Sequence, residues 1–84
     1  MNFEPTGNML QDLQSAIDTF TVVHIDYLDK KGVGSSRDIA PLEIRGNGLY
    51  GWSLDKNALR LFMLEGIQAY SVVDQTFDKA QFQT

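Results

Sequence analysis

Between Asp29 and Gly66 the chain meets four turn signals in close succession: Asp29-Lys30-Lys31-Gly32-Val33-Gly34, Arg45-Gly46-Asn47-Gly48, Asp55-Lys56-Asn57-Ala58 and Glu65-Gly66. Glycine and asparagine tolerate positive φ where other residues meet steric resistance, so each is a place where the backbone reverses. The segments between them are short, ten residues or fewer. They suit strands, which need only about five residues each.

Composition within the segments agrees. Phe20 to Leu28 is rich in β-branched and aromatic residues and reads as a first strand. Ser36–Ile44 reads as a second, interrupted by Pro41, which lacks the N–H a ladder needs and marks an edge or a bulge. Leu49–Leu54, Leu59–Leu64 and Ile67–Val73 complete a set of five. Ahead of them, Met9, Leu13, Ala16, Ile17 and Phe20 recur at helical spacing behind Asn8, an N-cap residue with Gln11 at the capping-box position. The expected architecture is a single mainly β domain over residues 1–84. A helix over 8–19 caps one opening of a small, strongly bent five-stranded antiparallel barrel over 20–73, and a polar tail over 74–84 has only Phe77 and Phe82 to anchor it.

At 84 residues the chain lies near the lower end of what folds alone, which leaves room for a partner. Apolar residues at 43% and charged residues at 21% are ordinary for a folded domain and argue against disorder. No apolar run approaches the ~20 residues of a membrane-spanning helix, and MNFEPTGNM lacks the layout of a secretion signal, so a cytoplasmic location is the expectation. The absence of cysteine removes disulfides and thiolate chemistry.

A net charge of −4 weighs against a protein that wraps long nucleic acid. Its distribution is uneven, however. Residues 30–60 hold six of the seven Lys and Arg against Asp38, Glu43 and Asp55, a window of +3 within an otherwise acidic chain.

Catalysis finds little support. His24 is the only histidine and sits in an apolar strand, where a structural role competes with a functional one. Asp26, Asp29, Asp38 and Glu43 show no metal-ligand spacing, and Gly32-Val33-Gly34-Ser35-Ser36 lacks the lysine and following helix of a phosphate loop. No enzyme activity, cofactor or metal is expected. The arginines are more informative. Arg37 and Arg60 both enter apolar stretches, where an unpaired guanidinium is costly, so each faces water, pairs with a carboxylate or awaits an anion. Tyr50 and Trp52, two apart on one strand, share a face and form either an aromatic platform for bases or part of the core.

The order of these landmarks is similar to that of the WYL domain: a strand ending in a tyrosine and a glycine loop, Arg37 with Pro41 after it, a glycine hairpin, Leu49-Tyr50-Gly51, and Arg60-Leu61-Phe62-Met63-Leu64-Glu65-Gly66-Ile67. The resemblance covers residues 10–78. It implies an SH3-like or Sm-like barrel in a bacterial or phage regulator of transcription, with nucleotides or single-stranded nucleic acid as the ligand class. Tyr50, Arg37 and Arg60 fall on the family's positions and are the implied ligand-binding residues, with Trp52 and His24 alongside. The chain departs from the pattern at Leu49, Gly51 and Gly66, the last standing where the family usually has an arginine, a loss that implies weaker anion binding. It also reads as a stand-alone copy, without a preceding helix-turn-helix.

Two functions are therefore expected to compete. One is a ligand-sensing regulatory module that binds nucleotide or single-stranded nucleic acid through Arg37, Tyr50 and Arg60. The other is an acidic interaction module of phage or mobile-element type that docks on a host protein or pairs with itself.

Overall fold

The computed structural model describes residues 3–82. One helix, α1 (Met9–Asp18), precedes five strands: β1 (Thr21–Leu28), β2 (Gly34–Arg45), β3 (Gly48–Ser53), β4 (Ala58–Met63) and β5 (Ile67–Thr76). All five form one antiparallel sheet in the order β4-β3-β2-β1-β5. No helix among the described residues is long and apolar enough to cross a membrane.

The turn signals act as their chemistry dictates. Gly46 at φ +59° reverses the chain between β2 and β3, and Asn57 at +53° does so between β3 and β4. The side chain of Asn8 accepts from the Gln11 N–H at 3.0 Å and starts α1. Pro41 stands in an interior strand, and the ladder bulges there: the register with β3 shifts between Pro41 and Glu43. The fifth strand continues to Thr76 instead of stopping at Val73, and the segment after it forms a 3₁₀ turn, Lys79–Phe82.

Curling of the sheet is visible at Tyr27. This residue, on β1, is separated from β4 by two strands in the hydrogen-bonded order, yet its hydroxyl accepts from the Met63 N–H at 2.9 Å. Its ring meets Phe62 edge-on at 5.2 Å. The concave face so formed holds the core, where Val23, Ile25, Ile39, Leu49 and Phe62 meet Leu13 and Ala16 of α1. Glycine makes the curl possible at Gly66, which ends the 3₁₀ turn Leu64–Gly66 joining β4 to β5. A Cβ there would lie 2.6 Å from the Leu28 carbonyl oxygen and 2.7 Å from the Tyr27 ring.

A buried carboxylate ties the N-terminal segment to this body. Asp12, in the first turn of α1, is almost wholly buried and accepts from the Thr6 N–H and hydroxyl at 2.8 Å, the Gly7 N–H at 3.1 Å and the Tyr70 hydroxyl at 2.5 Å. The Tyr70 bond chiefly holds the Asp12 carboxyl below its usual value; burial opposes this, and the Thr6 and Gly7 donors reinforce it. The same partnership pushes Tyr70 up to about 12.

Candidate functional site

Register decides which side of the sheet each candidate occupies. Arg37 pairs with buried Ile25, so it points to the concave face. Arg60 pairs with Gly51 and points the same way. The two arginines, far apart in sequence, line one cleft of about 180 Å³ together with Tyr27, Asp29, Ser35 and Phe62. Tyr27 is not among the site residues that the sequence suggests. Its alternation with Val23 and Ile25 marks it as inward, but only the fold shows that its ring forms a wall beside Arg60.

Within the cleft the cationic groups are under-partnered. Arg37 is 21% exposed at its side chain; its Nε donates to the Ser35 hydroxyl at 3.3 Å, and its Nη1 approaches Asp55 at 3.8 Å. That Nη1 is buried and has no hydrogen-bond partner among the described residues. Asp55 is more than half exposed, and its Oδ1 is held by the Ser53 hydroxyl at 2.6 Å. The Ser53 bond is the main reason the Asp55 carboxyl lies below its usual value, with partial burial opposing and the Arg37 charge assisting. Arg60 is exposed and has no ion pair among the described residues. Asp29, the one carboxylate lining the cleft, accepts from the Lys31 and Val33 N–H groups at 2.9 Å and so is committed to its own loop. What remains is a small recess with two guanidinium forks, a hydroxyl and two aromatic walls, chemistry suited to an oxyanion.

The other candidates lie elsewhere. Tyr50 and Trp52 do share a face, but they alternate with buried Leu49, Gly51 and Ser53 and so point away from the arginines. The expected gathering of Tyr50 with Arg37 and Arg60 in one pocket is therefore corrected by the pleat. Tyr50 sits instead under the Arg45 guanidinium, 5.8 Å from its ring centroid, while Arg45 itself is paired with Glu43 at 2.9 Å. Trp52 does not stand as an open platform: Phe82 stacks on it at 5.0 Å with planes 20° apart. His24 faces outward opposite Asp38, with its Nδ1 2.7 Å from Asp38 and its Nε2 3.6 Å from Asp26, and takes no part in the cleft. No group of three or more potential metal ligands occurs among the described residues.

Gly66, where the resemblance would place an arginine, has no room for a side chain. Every side chain begins with a Cβ, and at this position a Cβ collides with backbone of β1 and with the Tyr27 ring that walls the cleft. The residue is glycine because the β4–β5 junction packs against β1 at close range.

No family model matches the chain, and no curated protein does. Among solved structures, proteasome accessory factor B/C (PafBC) of Arthrobacter aurescens superposes on 93% of this chain with a TM-score of 0.76 at 13% sequence identity. The matched region is 14% of the PafBC chain, so this chain corresponds to a small part of that protein. At such identity the likeness is one of fold, and it supports a WYL-like fold for this curled five-stranded sheet and its helix.

Proposed function

We propose that this chain is a non-catalytic, ligand-binding regulatory module that takes a phosphate group of a nucleotide or of single-stranded nucleic acid between Arg37 and Arg60. The observation that carries the reading is the buried Arg37 Nη1 without a hydrogen bond among the described residues, beside a second guanidinium with no ion pair there. Leaving such a donor unsatisfied costs about 1–3 kcal/mol, and an oxyanion would relieve it. Size narrows the ligand. At about 180 Å³ the cleft falls below the ~300 Å³ at which enclosed ligand sites usually begin, so it accepts the phosphate while the rest of the ligand lies outside.

Anisotropy of a labelled, 5′-phosphorylated short oligonucleotide, titrated at several salt concentrations, tests this. Arg37→Ala and Arg60→Ala should each weaken binding about tenfold or more, as expected for a charge-assisted bond worth about 1.5–3 kcal/mol. The salt slope should fall by about 0.7 for each phosphate that is no longer neutralised. Equal affinity in wild type and both variants would refute the assignment.

A second reading draws on the edge of the sheet. Leu59 and Leu61 on β4, at one end of the strand order, are 52% and 49% exposed, an apolar strip on an edge strand that suits addition of a partner strand. Light scattering that shows dimers in wild type and monomers in Leu61→Lys would favour this interaction role, and a monomer at all concentrations would speak against self-pairing.

A further inference from the structure

The convex face carries a second apolar layer. Ala40 pairs with Trp52 across β2 and β3, and Val22 precedes core-facing Val23, so both direct their side chains outward; yet both are fully buried and stand outside the core cluster. Aromatic rings run over this face. The Phe77 ring meets Phe20 edge-on at 6.0 Å, Phe82 lies 5.9 Å from Phe77, and Phe82 stacks on Trp52.

The segment that supplies these rings is lightly held. The Phe77 N–H donates to the Phe20 carbonyl at 2.9 Å. Beyond that point the hydrogen bonds of the turn among the described residues are internal, joining Asp78 with Ala80 and Gln81. The near end of the segment is thus held by Phe77 and its far end by Phe82 lying on Trp52. The indole, by contrast, is fixed: its N–H donates to Asn57 at 3.3 Å.

Next to this stack is an open recess of about 320 Å³ lined by Leu42, Glu43, Arg45, Tyr50, Leu59 and Lys79, within the usual range for small-molecule sites of roughly 300–1,000 Å³, and its one carboxylate, Glu43, is engaged by Arg45 at 2.9 Å. Lys79 begins the turn, two residues after the Phe77 anchor, and Phe82 ends it, so a swing of the far end moves the ring more than the ammonium. No carboxylate pairs with Lys79 among the described residues.

We propose that Trp52 is the floor of a second site, on the opposite side of the sheet from the arginine cleft, which takes the base of a nucleotide with its phosphate at Lys79, and that Phe82 fills this site in cis until the ligand displaces it. A planar ring already rests on the indole in the parallel arrangement a base would adopt, and a base would exchange one stack for another. The cost of removing Phe82 lowers the apparent affinity of the intact chain, because only the uncovered fraction binds. The site uses none of the groups of the Arg37–Arg60 cleft and stands independently of it.

Trp52 is the only tryptophan, so its fluorescence reports this face alone. With AMP as the probe, the wild-type chain should show quenching of Trp52. Over the same titration, the Phe82 ring-proton resonances should move from their ring-current-shifted positions toward those of a free phenylalanine. Phe82→Ala should bind AMP about fivefold or more tightly, since the covered state is removed, and Lys79→Ala should bind it more weakly. The Arg37→Ala/Arg60→Ala double variant should quench as wild type does. Absence of quenching in both wild type and Phe82→Ala would overturn the proposal, as would quenching with unmoved Phe82 resonances. Disappearance of the AMP signal in the double-arginine variant would also overturn it, by assigning that signal to the other cleft.

Discussion

Gly66→Ala is the smallest change that probes how the arginine cleft is built. The added methyl carbon would fall 2.6 Å from the Leu28 carbonyl oxygen, 2.7 Å from Tyr27 Cε1 and 3.1 Å from Tyr27 Cζ. The first of these is backbone and cannot rotate away, and the Tyr27 ring is pinned by the Met63 N–H at its hydroxyl and by Phe62 at its edge. Relief must come from separating the Leu64–Gly66 turn from β1. Overpacking of this kind costs about 1–3 kcal/mol, and in a domain of this size each kcal/mol lowers Tm by about 4–8 °C. Urea unfolding followed by circular dichroism should therefore show a lower midpoint with an unchanged m value. Gly66→Arg, which adds the cation that the WYL resemblance would place there, should be at least as unstable and should bind the oligonucleotide no better. A Gly66→Ala protein within about 0.5 kcal/mol of wild type would refute the steric account, and tighter binding by Gly66→Arg would refute its functional corollary.

Other outcomes follow from the same geometry. Arg37→Met keeps the stem and removes a half-buried guanidinium whose Nη1 has no hydrogen bond among the described residues and whose ion pair to exposed Asp55 is long; by analogy with buried ion pairs replaced by apolar side chains, thermal melts should show Tm unchanged or raised while oligonucleotide binding weakens about tenfold or more. The Asp12 carboxyl titrates below its ordinary 3.8 in the folded chain, so its contribution is complete above that value and is lost as pH falls through the lower folded value. Acid unfolding should accordingly steepen below about pH 4, and Asp12→Asn should flatten that limb in a pH series of urea midpoints. Tyr70 has the opposite sign, its raised value making the same bond fail as pH climbs from 10 toward about 12, an effect that Tyr70→Phe should abolish. Phe20 holds φ +54° between α1 and β1, so Phe20→Gly relieves about 1 kcal/mol of backbone strain while removing the ring that Phe77 meets; a thermal melt of Phe20→Gly in a chain already carrying Phe77→Ala isolates the backbone gain.

Most of the fold is local information. Three of the four turns were legible because Gly32, Gly46 and Asn57 adopt the positive φ that their residue types announce, and the helix because Asn8 caps an apolar stripe. Pro41 was legible as an irregularity: the ladder to β1 stops at Ile39, just before it, and the register with β3 shifts just after it. The end of β5 was not legible. Ser71 to Thr76 mixes polar and apolar residues without clear alternation, and the strand persists because β1 offers a ladder out to Thr21. Phe77 and Phe82 were legible as the anchors of the polar tail, but not the rings they meet, Phe20 and Trp52.

The site was half legible, and the division follows from the pleat. Alternation within one strand is reliable at short range, so Tyr50 and Trp52 do share a side. Gathering residues from different strands requires register, and register is set by turns and bulges far from the residues concerned. The bulge at Pro41 shows the sensitivity, since beyond it Glu43 faces Tyr50, a pairing that the Ala40–Trp52 side of the ladder would not place there. Arg60 faces Gly51 because the β3–β4 turn closes Ser53 onto Ala58; a turn one residue longer would have placed Arg60 on the convex side with Tyr50. Arg37 reaches the concave side through its pairing with Ile25. The cleft and the aromatic stack are thus a consequence of two registers: a one-residue slip of β4 against β3 would carry Arg60 away from Arg37, but it would also turn core-facing Phe62 outward, so the burial of Phe62 is what holds Arg60 in the cleft.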